Sequence, residues 1–210
     1  MSFKDKFTDF HLDVIKEIGN IGAGNAATSL STLLNRKVEM HVPSVKLVDF
    51  DEVVELAGGA EEMVVSVALK IDGEAPGSIF FLLPPRQAEQ FIKQIAGLPS
   101  YVLPMDSVDE FTSSVLQELG NILSGSYISA LSDFTGLELY LSVPSLSTDM
   151  AGAILSYGLL ELSQVSDQAI VVETALHDEN HENLTGHFFL FPDPDSYDRI
   201  FKALGVPSDE

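Results

Sequence analysis

The chain repeats itself. Glu17-Ile18-Gly19-Asn20-Ile21 returns as Glu118-Leu119-Gly120-Asn121-Ile122, an offset of 101 residues. The register holds on both sides: Asp13 meets Ser114, Gly24 meets Gly125, Leu30-Ser31 meets Leu131-Ser132, and Val42-Pro43-Ser44 meets Val143-Pro144-Ser145. Farther on, Phe80-Phe81-Leu82-Leu83-Pro84 matches Phe188-Phe189-Leu190-Phe191-Pro192 at an offset of 108, as Gly97 matches Gly205. A sequence that states one pattern twice must build two versions of one unit. The seven extra residues of the second copy are expected in a surface loop, where insertions are tolerated.

Each copy reads the same way. A long helix is predicted over about 9–34 and again over 107–134, each followed by β-rich runs: 37–50, 63–71 and 77–83, then 138–143, 169–176 and 186–191. Pro84-Pro85 and Pro192-Asp193-Pro194 open short amphipathic helices that end at Gly97 and Gly205, with Pro near the start and Gly past the end. Segments 51–57 and 150–162 read as additional helices.

On a 3.6-residue wheel the first long helix separates into two stripes. One carries Leu12, Ile15, Gly19, Gly22, Ala23, Ala26, Leu30 and Leu33. Its small central residues allow close packing that offsets a helix cost of about 1 kcal/mol per Gly. The other carries Asp13, Glu17, Asn20, Gly24, Thr28 and Ser31, matched by Ser114, Glu118, Asn121, Gly125, Ser129 and Ser132. Glu17 and Asn20 sit at i, i+3, as do Glu118 and Asn121, so each pair projects from one surface a single turn apart. A carboxylate there can hold a cation while the carboxamide orients a water. The plain alternative is a pair of solvated helix residues, against which stands the recurrence of a mediocre helix former mid-helix beside the same Glu.

Composition narrows the function. With 11 basic and 32 acidic residues the formal charge is −21, which excludes a simple nucleic-acid binder and repels anionic lipid. The absence of cysteine removes disulfides, a thiolate nucleophile and Cys-ligated zinc. No signal peptide or membrane span is legible, so a cytoplasmic protein is expected. Gly22-Ala23-Gly24-Asn25-Ala26-Ala27 matches a dinucleotide fingerprint but lies inside a helical pattern without a preceding strand, so it is set aside. His177, His181 and His187 fall in the expected insertion loop and read as solvated, not as a metal cluster.

The spacing Asp or Ser, three residues, Glu, two residues, Asn, twenty-two residues, Pro occurs twice: Asp13, Glu17, Asn20, Pro43 and Ser114, Glu118, Asn121, Pro144. It resembles the signature of the CheC/CheX/FliY family of chemotaxis phosphatases over essentially the whole chain. The doubled Glu and Asn pair is similar to the CheC branch, and no switch-complex type extension after Gly205 is expected. The resemblance implies an α/β fold with α+β-like layering. One domain over 1–210 would consist of two pseudo-twofold repeats, about 9–97 and 107–205, sharing a β-sheet with the two long helices on one face. It implies hydrolysis of the aspartyl phosphate of the response regulator CheY. Asn20 and Asn121 would orient the attacking water, and Glu17 and Glu118 would accept the regulator's Lys. Asp13 and Ser114 would be supporting residues, and Pro43 and Pro144 would set strand or turn geometry. The protein would hold no cofactor of its own, the Mg²⁺ belonging to the phosphorylated regulator. A second partner implied is the receptor deamidase CheD, met through the segment Asp149 to Ile154, with a packing helix as the plain alternative. A non-catalytic adaptor is the competing function.

The charge divides unevenly. Residues 1–100 carry 9 basic and 14 acidic side chains, for −5, and residues 101–210 carry 2 and 18, for −16. An acidic second half suits a protein surface that presents Lys.

Overall fold

The computed structural model describes residues 8–104, 108–162, 168–178 and 183–205. Its longest elements are two helices of 26 residues, α1 (Asp9–Leu34) and α4 (Glu110–Thr135). The second starts where the Asp109 carboxylate accepts the Thr112 N–H at 2.7 Å as an N-cap; the Thr112 hydroxyl first and this N–H second lower the pKa of that carboxyl. Each ends on a left-handed residue, Asn35 (φ 50°) and Gly136 (φ 70°). The small-residue stripe packs as its composition demands. A Cβ on Gly22 would lie 2.7 Å from Tyr127 Cδ1 and 2.9 Å from its Cα, so α1 and α4 approach at backbone distance. A Cβ on Gly19 would meet Val42 at 3.4 Å and Val172 at 3.8 Å, ordinary contact distances, whereas one on Gly120 would collide with the Val67 side chain.

The strands are β1 (Val38–His41), β2 (Val45–Asp49), β3 (Met63–Gly73), β4 (Gly77–Leu83), β5 (Leu139–Leu141), β6 (Ser145–Met150), β7 (Gln168–Asp178) and β8 (Asn183–Pro192). The remaining helices are α2 (Phe50–Leu56), α3 (Pro85–Ala96), α5 (Ala151–Leu162) and α6 (Pro194–Ala203). The eight strands form one antiparallel sheet, ordered β1-β7-β8-β4-β3-β5, with β2 also on β7 and β6 also on β3. The fold is therefore α+β in two repeats that exchange strands. The first copy's β1 and β2 pair with the second copy's β7, and the second copy's β5 and β6 pair with the first copy's β3.

The run expected over 37–50 is interrupted at Val42-Pro43-Ser44, where proline offers no N–H to the ladder. The same break at Ser142-Val143-Pro144 divides β5 from β6. Strand β6 itself was not anticipated. Its residues Ser145, Ser147 and Asp149 alternate with Leu146 and Thr148 and carry little hydrophobic signal, so its strand state comes from pairing with β3.

One core lies between the long helices and the sheet and takes Val67, Phe81, Leu116, Leu123, Val172 and Phe188. A second, on the opposite face, takes Val53, Val64, Leu82, Leu155, Val171 and Phe189 and is covered by α2 and α5. These faces correct the alignment of the repeats. Gly19 packs on Val172 and Gly120 on Val67, so β3 corresponds to β7 at 172 − 67 = 105 residues. Val67 pairs with Phe81 and Val172 with Phe188, so β4 corresponds to β8 at 188 − 81 = 107 residues, not 108. The matched strings at Phe80 and Phe188 are thus one residue out of register, and one residue exchanges the faces of a strand. The extra length is not confined to a loop either: α5 has 12 residues where α2 has 7.

Candidate active site

The polar stripe of both long helices is mostly open to solvent but is bonded to the sheet at one end, where Ser31 Oγ accepts the Val38 N–H of β1 at 2.9 Å. Glu17, Glu118 and Asn121 are exposed, and Asn20 is half-buried. Asp13 is exposed, and the Ser114 hydroxyl turns back to donate to the Glu110 carbonyl at 2.8 Å. The same turn of helix thus presents a carboxylate and a carboxamide in each copy, as the i, i+3 spacing requires.

The two copies are not alike in detail. Asn20 Oδ1 accepts the Val42 N–H at 2.9 Å, and its Nδ2 donates to the Lys16 carbonyl at 3.1 Å. This side chain therefore ties the helix to the strand break before Pro43, and Val42 is only 2 % exposed. Asn121 makes no hydrogen bond of this kind among the described residues, and its neighbour Val143, the counterpart of Val42, is 87 % exposed. There the helix holds the break through Gln117, whose Nε2 donates to the Pro144 carbonyl at 3.3 Å. Gln117 occupies the position of Lys16. Its role had no advance signal in the sequence, because the replacement of Lys by Gln is meaningful only once the strand is known to pass beneath.

A third difference within the stripe separates packing glycines from open ones. Apart from the helix's own backbone and the adjoining residues, no atom of the described residues lies within 4 Å of a Cβ built on Gly24 or Gly125, four residues beyond each Asn. Glycine there costs the helix about 1 kcal/mol without an internal packing gain.

The remaining candidates fall elsewhere. His177 lies in β7 and His187 in β8, which corrects their placement in a loop, and His181 lies outside the described residues. The paired strands β7 and β8, with Glu173 opposite His187, take the place of most of that loop. Burial lowers the His187 pKa most, Glu173 raises it and Lys46 lowers it further, while its Nδ1 is buried without a partner among the described residues. No group of three or more His, Asp or Glu stands close enough to hold a metal among the described residues. Gly22 to Ala27 lies within α1, where a fingerprint loop cannot form. Among the described residues no helix is long and apolar enough to cross a membrane.

Asp149 is the last but one residue of β6 and is exposed, its Oδ1 accepting the Met150 N–H at 2.8 Å. The segment that follows divides by face. Ala151, Ile154 and Leu155 are buried in the second core, while Ala153 is exposed and Met150 is 44 % exposed. A groove of about 720 Å³ beside it is lined by Ser66, Phe80, Ser147, Asp149 and Ile154 among others.

Comparison with known proteins matches residues 10–47 and 111–148 to the CheC-like family, two segments set 101 residues apart. The chain is 48 % identical over 207 residues to the CheY-P phosphatase CheC of Bacillus subtilis, covering 98 % of this chain and 99 % of that protein. It is 23 % identical over 200 residues to the putative CheY-P phosphatase CheC1 of Halobacterium salinarum, covering 92 % and 95 %. Among solved structures, Thermotoga maritima FliY superposes with a TM-score of 0.74 at 23 % identity, covering 95 % of this chain and 98 % of that one. The FliM middle domain of H. pylori gives 0.68 at 12 % identity, covering 94 % and 99 %. At these identities the superpositions speak for the fold alone.

Proposed function

The chain belongs to the CheC-like family, and from that membership we propose that it is a phosphatase hydrolysing the aspartyl phosphate of a CheY response regulator. The observation that carries this reading is the recurrence of a Glu and an Asn one helical turn apart on both long helices, with Glu17, Glu118 and Asn121 exposed and Asn20 half-buried. In the proposed reaction a water oxygen attacks phosphorus in line as the bond to the aspartyl oxygen breaks. The aspartate carboxylate keeps the bonding electrons, and the protons of the water leave with the phosphate. Asn20 and Asn121 hold the water through their carboxamides, since neither is basic enough to deprotonate it. Glu17 and Glu118 accept the regulator's Lys and seat the helix over the phosphoryl group. The regulator brings its own Mg²⁺, so the contribution of this chain is positioning and exclusion of other waters.

The test is decay of the phosphorylated regulator with wild type, Glu17→Ala/Asn20→Ala, Glu118→Ala/Asn121→Ala, and all four substitutions together. The quadruple variant is expected to lose roughly 100-fold or more of the acceleration. A folded quadruple variant as active as wild type removes the assignment. The same assay separates this reading from an adaptor that docks without hydrolysis.

A second contact is proposed with the deamidase CheD at the outward rim of β6 and α5. Its support is that Asp149 and Met150 stand exposed beside the 720 Å³ groove while the inner side of α5 is committed to the core. Asp149→Lys is expected to weaken CheD capture at least tenfold and to leave phosphatase activity unaltered. Unchanged capture counts against this surface.

A further inference from the structure

The outward stripe has ends as well as a centre, and both ends repeat. Phe10 is 60 % exposed and Phe111 is 46 % exposed. They are counterparts at the offset of 101, although their neighbours differ: Asp9 and His11 in one copy, Glu110 and Thr112 in the other. Each precedes its Glu by seven residues, two helical turns on the same face and about 10 Å along the axis. At the other end stand Gly24 and Gly125, with open space above them. Gly22 and Gly120 are required by the approach of Tyr127 and Val67, but among the described residues nothing requires Gly24 or Gly125. An exposed aromatic ring and an unneeded helical glycine are both unfavourable for an isolated helix, and each occurs twice in the same place.

From this we infer that each long helix carries a docking footprint for the receiver domain of the phosphorylated regulator, with Phe10 or Phe111 as apolar anchor and Gly24 or Gly125 as a seat for the partner's backbone. The inference rests on the phosphatase reading and adds binding residues to it. From anchor to seat is 14 residues, about 21 Å, which a domain of about 100 residues, with a radius of gyration near 13 Å, can cover. Between them α1 exposes Asp13 and Glu17, with Lys16 half-buried beside them, and α4 exposes Glu118 and contains no Lys or Arg at all. That acidic strip suits a partner that presents Lys around its phosphoryl site, and it opposes a second copy of this chain, whose strip has the same sign. Without a Cβ on the turn after Asn, the partner surface can come close enough to enclose the water that Asn holds.

The experiment titrates full-length protein with a CheY receiver domain loaded with Mg²⁺ and beryllofluoride, alongside steady-state dephosphorylation. Two variants are compared with wild type: Phe10→Ser/Phe111→Ser, and Gly24→Leu/Gly125→Leu. Each is expected to raise Kd and KM about tenfold or more, and the glycine variant to lower kcat as well, because the bulkier turn keeps the partner from enclosing the water that Asn holds. The glycine variant is expected to unfold at or above the wild-type temperature, because leucine is the better helix former and meets nothing. If it fails to fold, Gly24→Ala/Gly125→Ala is read the same way. Unchanged Kd in either double variant, with wild type binding and active, overturns the footprint alone. A wild type that neither binds the loaded receiver nor speeds its dephosphorylation overturns both the footprint and the phosphatase reading.

Discussion

The Val42 N–H has one acceptor, Asn20 Oδ1 at 2.9 Å, in a place where water hardly reaches. Asn20 thus serves the fold as well as the proposed chemistry, while Asn121 is left to the solvent face. Asn20→Ala should therefore destabilise the protein by about 1–3 kcal/mol, the cost of a buried donor left unsatisfied. Asn121→Ala should stay within about 0.5 kcal/mol of wild type. Thermal or urea unfolding of the two variants reads the difference, and equal stabilities would refute it. Activity should follow the opposite order once folding is equalised, because the amide of Asn121 can turn to a water without releasing a strand. That Glu17, Asn20, Glu118 and Asn121 share an outer face was legible from helical periodicity alone. The bond to Val42 was not, since it depends on where a strand 22 residues later passes, and Asn20 and Asn121 have nearly the same local sequence.

Among the elements, the two long helices, the short helices after Pro84 and Pro192, and most strands were legible because their periods and their Pro and Gly punctuation are strong. β6 was not, since a polar edge strand is defined by its partner. The register of β8 was misread because Phe80-Phe81-Leu82-Leu83-Pro84 resembles Phe188 to Pro192 more closely as a string than as a ladder. Corrected by one residue, the counterpart of Phe80 is His187: 187 − 80 is the ladder offset of 107. A histidine thus stands on β8 where the first copy has phenylalanine, with its Nδ1 buried and unpaired. Burial holds its pKa below the ordinary 6.5, against the pull of Glu173. The sign follows directly. The unfolded chain takes up the proton first, so this part of the stability is present above pH 6.5 and is lost as pH falls below it. His187→Phe should flatten that acid limb and add about 1 kcal/mol at pH 7 by removing an unsatisfied nitrogen. Unfolding measured from pH 7.5 to 5 checks both, and an unchanged acid limb would count against the placement of His187.

For the whole molecule, the exchange of strands makes each repeat incomplete. β7 is flanked by β1 and β2 from the other copy, and β3 by β5 and β6. The two halves, divided between α3 and α4, should each lack cooperative unfolding when made separately and regain it when mixed or co-expressed. Circular dichroism and a melting transition would report this, and a half that folds alone would contradict it. The sequence disclosed the repeat and the resemblance disclosed a common sheet, but the reciprocity of the exchange lies in pairs from 139 − 73 = 66 to 178 − 38 = 140 residues apart, where local pattern carries no information.

That reciprocity also sets a schedule for synthesis. β2 ends at Asp49 and its partner begins at Gln168, so 168 − 49 = 119 residues separate them. At about 5–20 residues per second the ribosome takes roughly 6–24 s to deliver β7. During that interval the nascent chain carries an unpaired strand that matches β7 of any finished neighbour. Crowded polysomes therefore offer this protein a route to intertwined dimers, in which two chains complete each other's sheets with the same hydrogen bonds the monomer makes within itself.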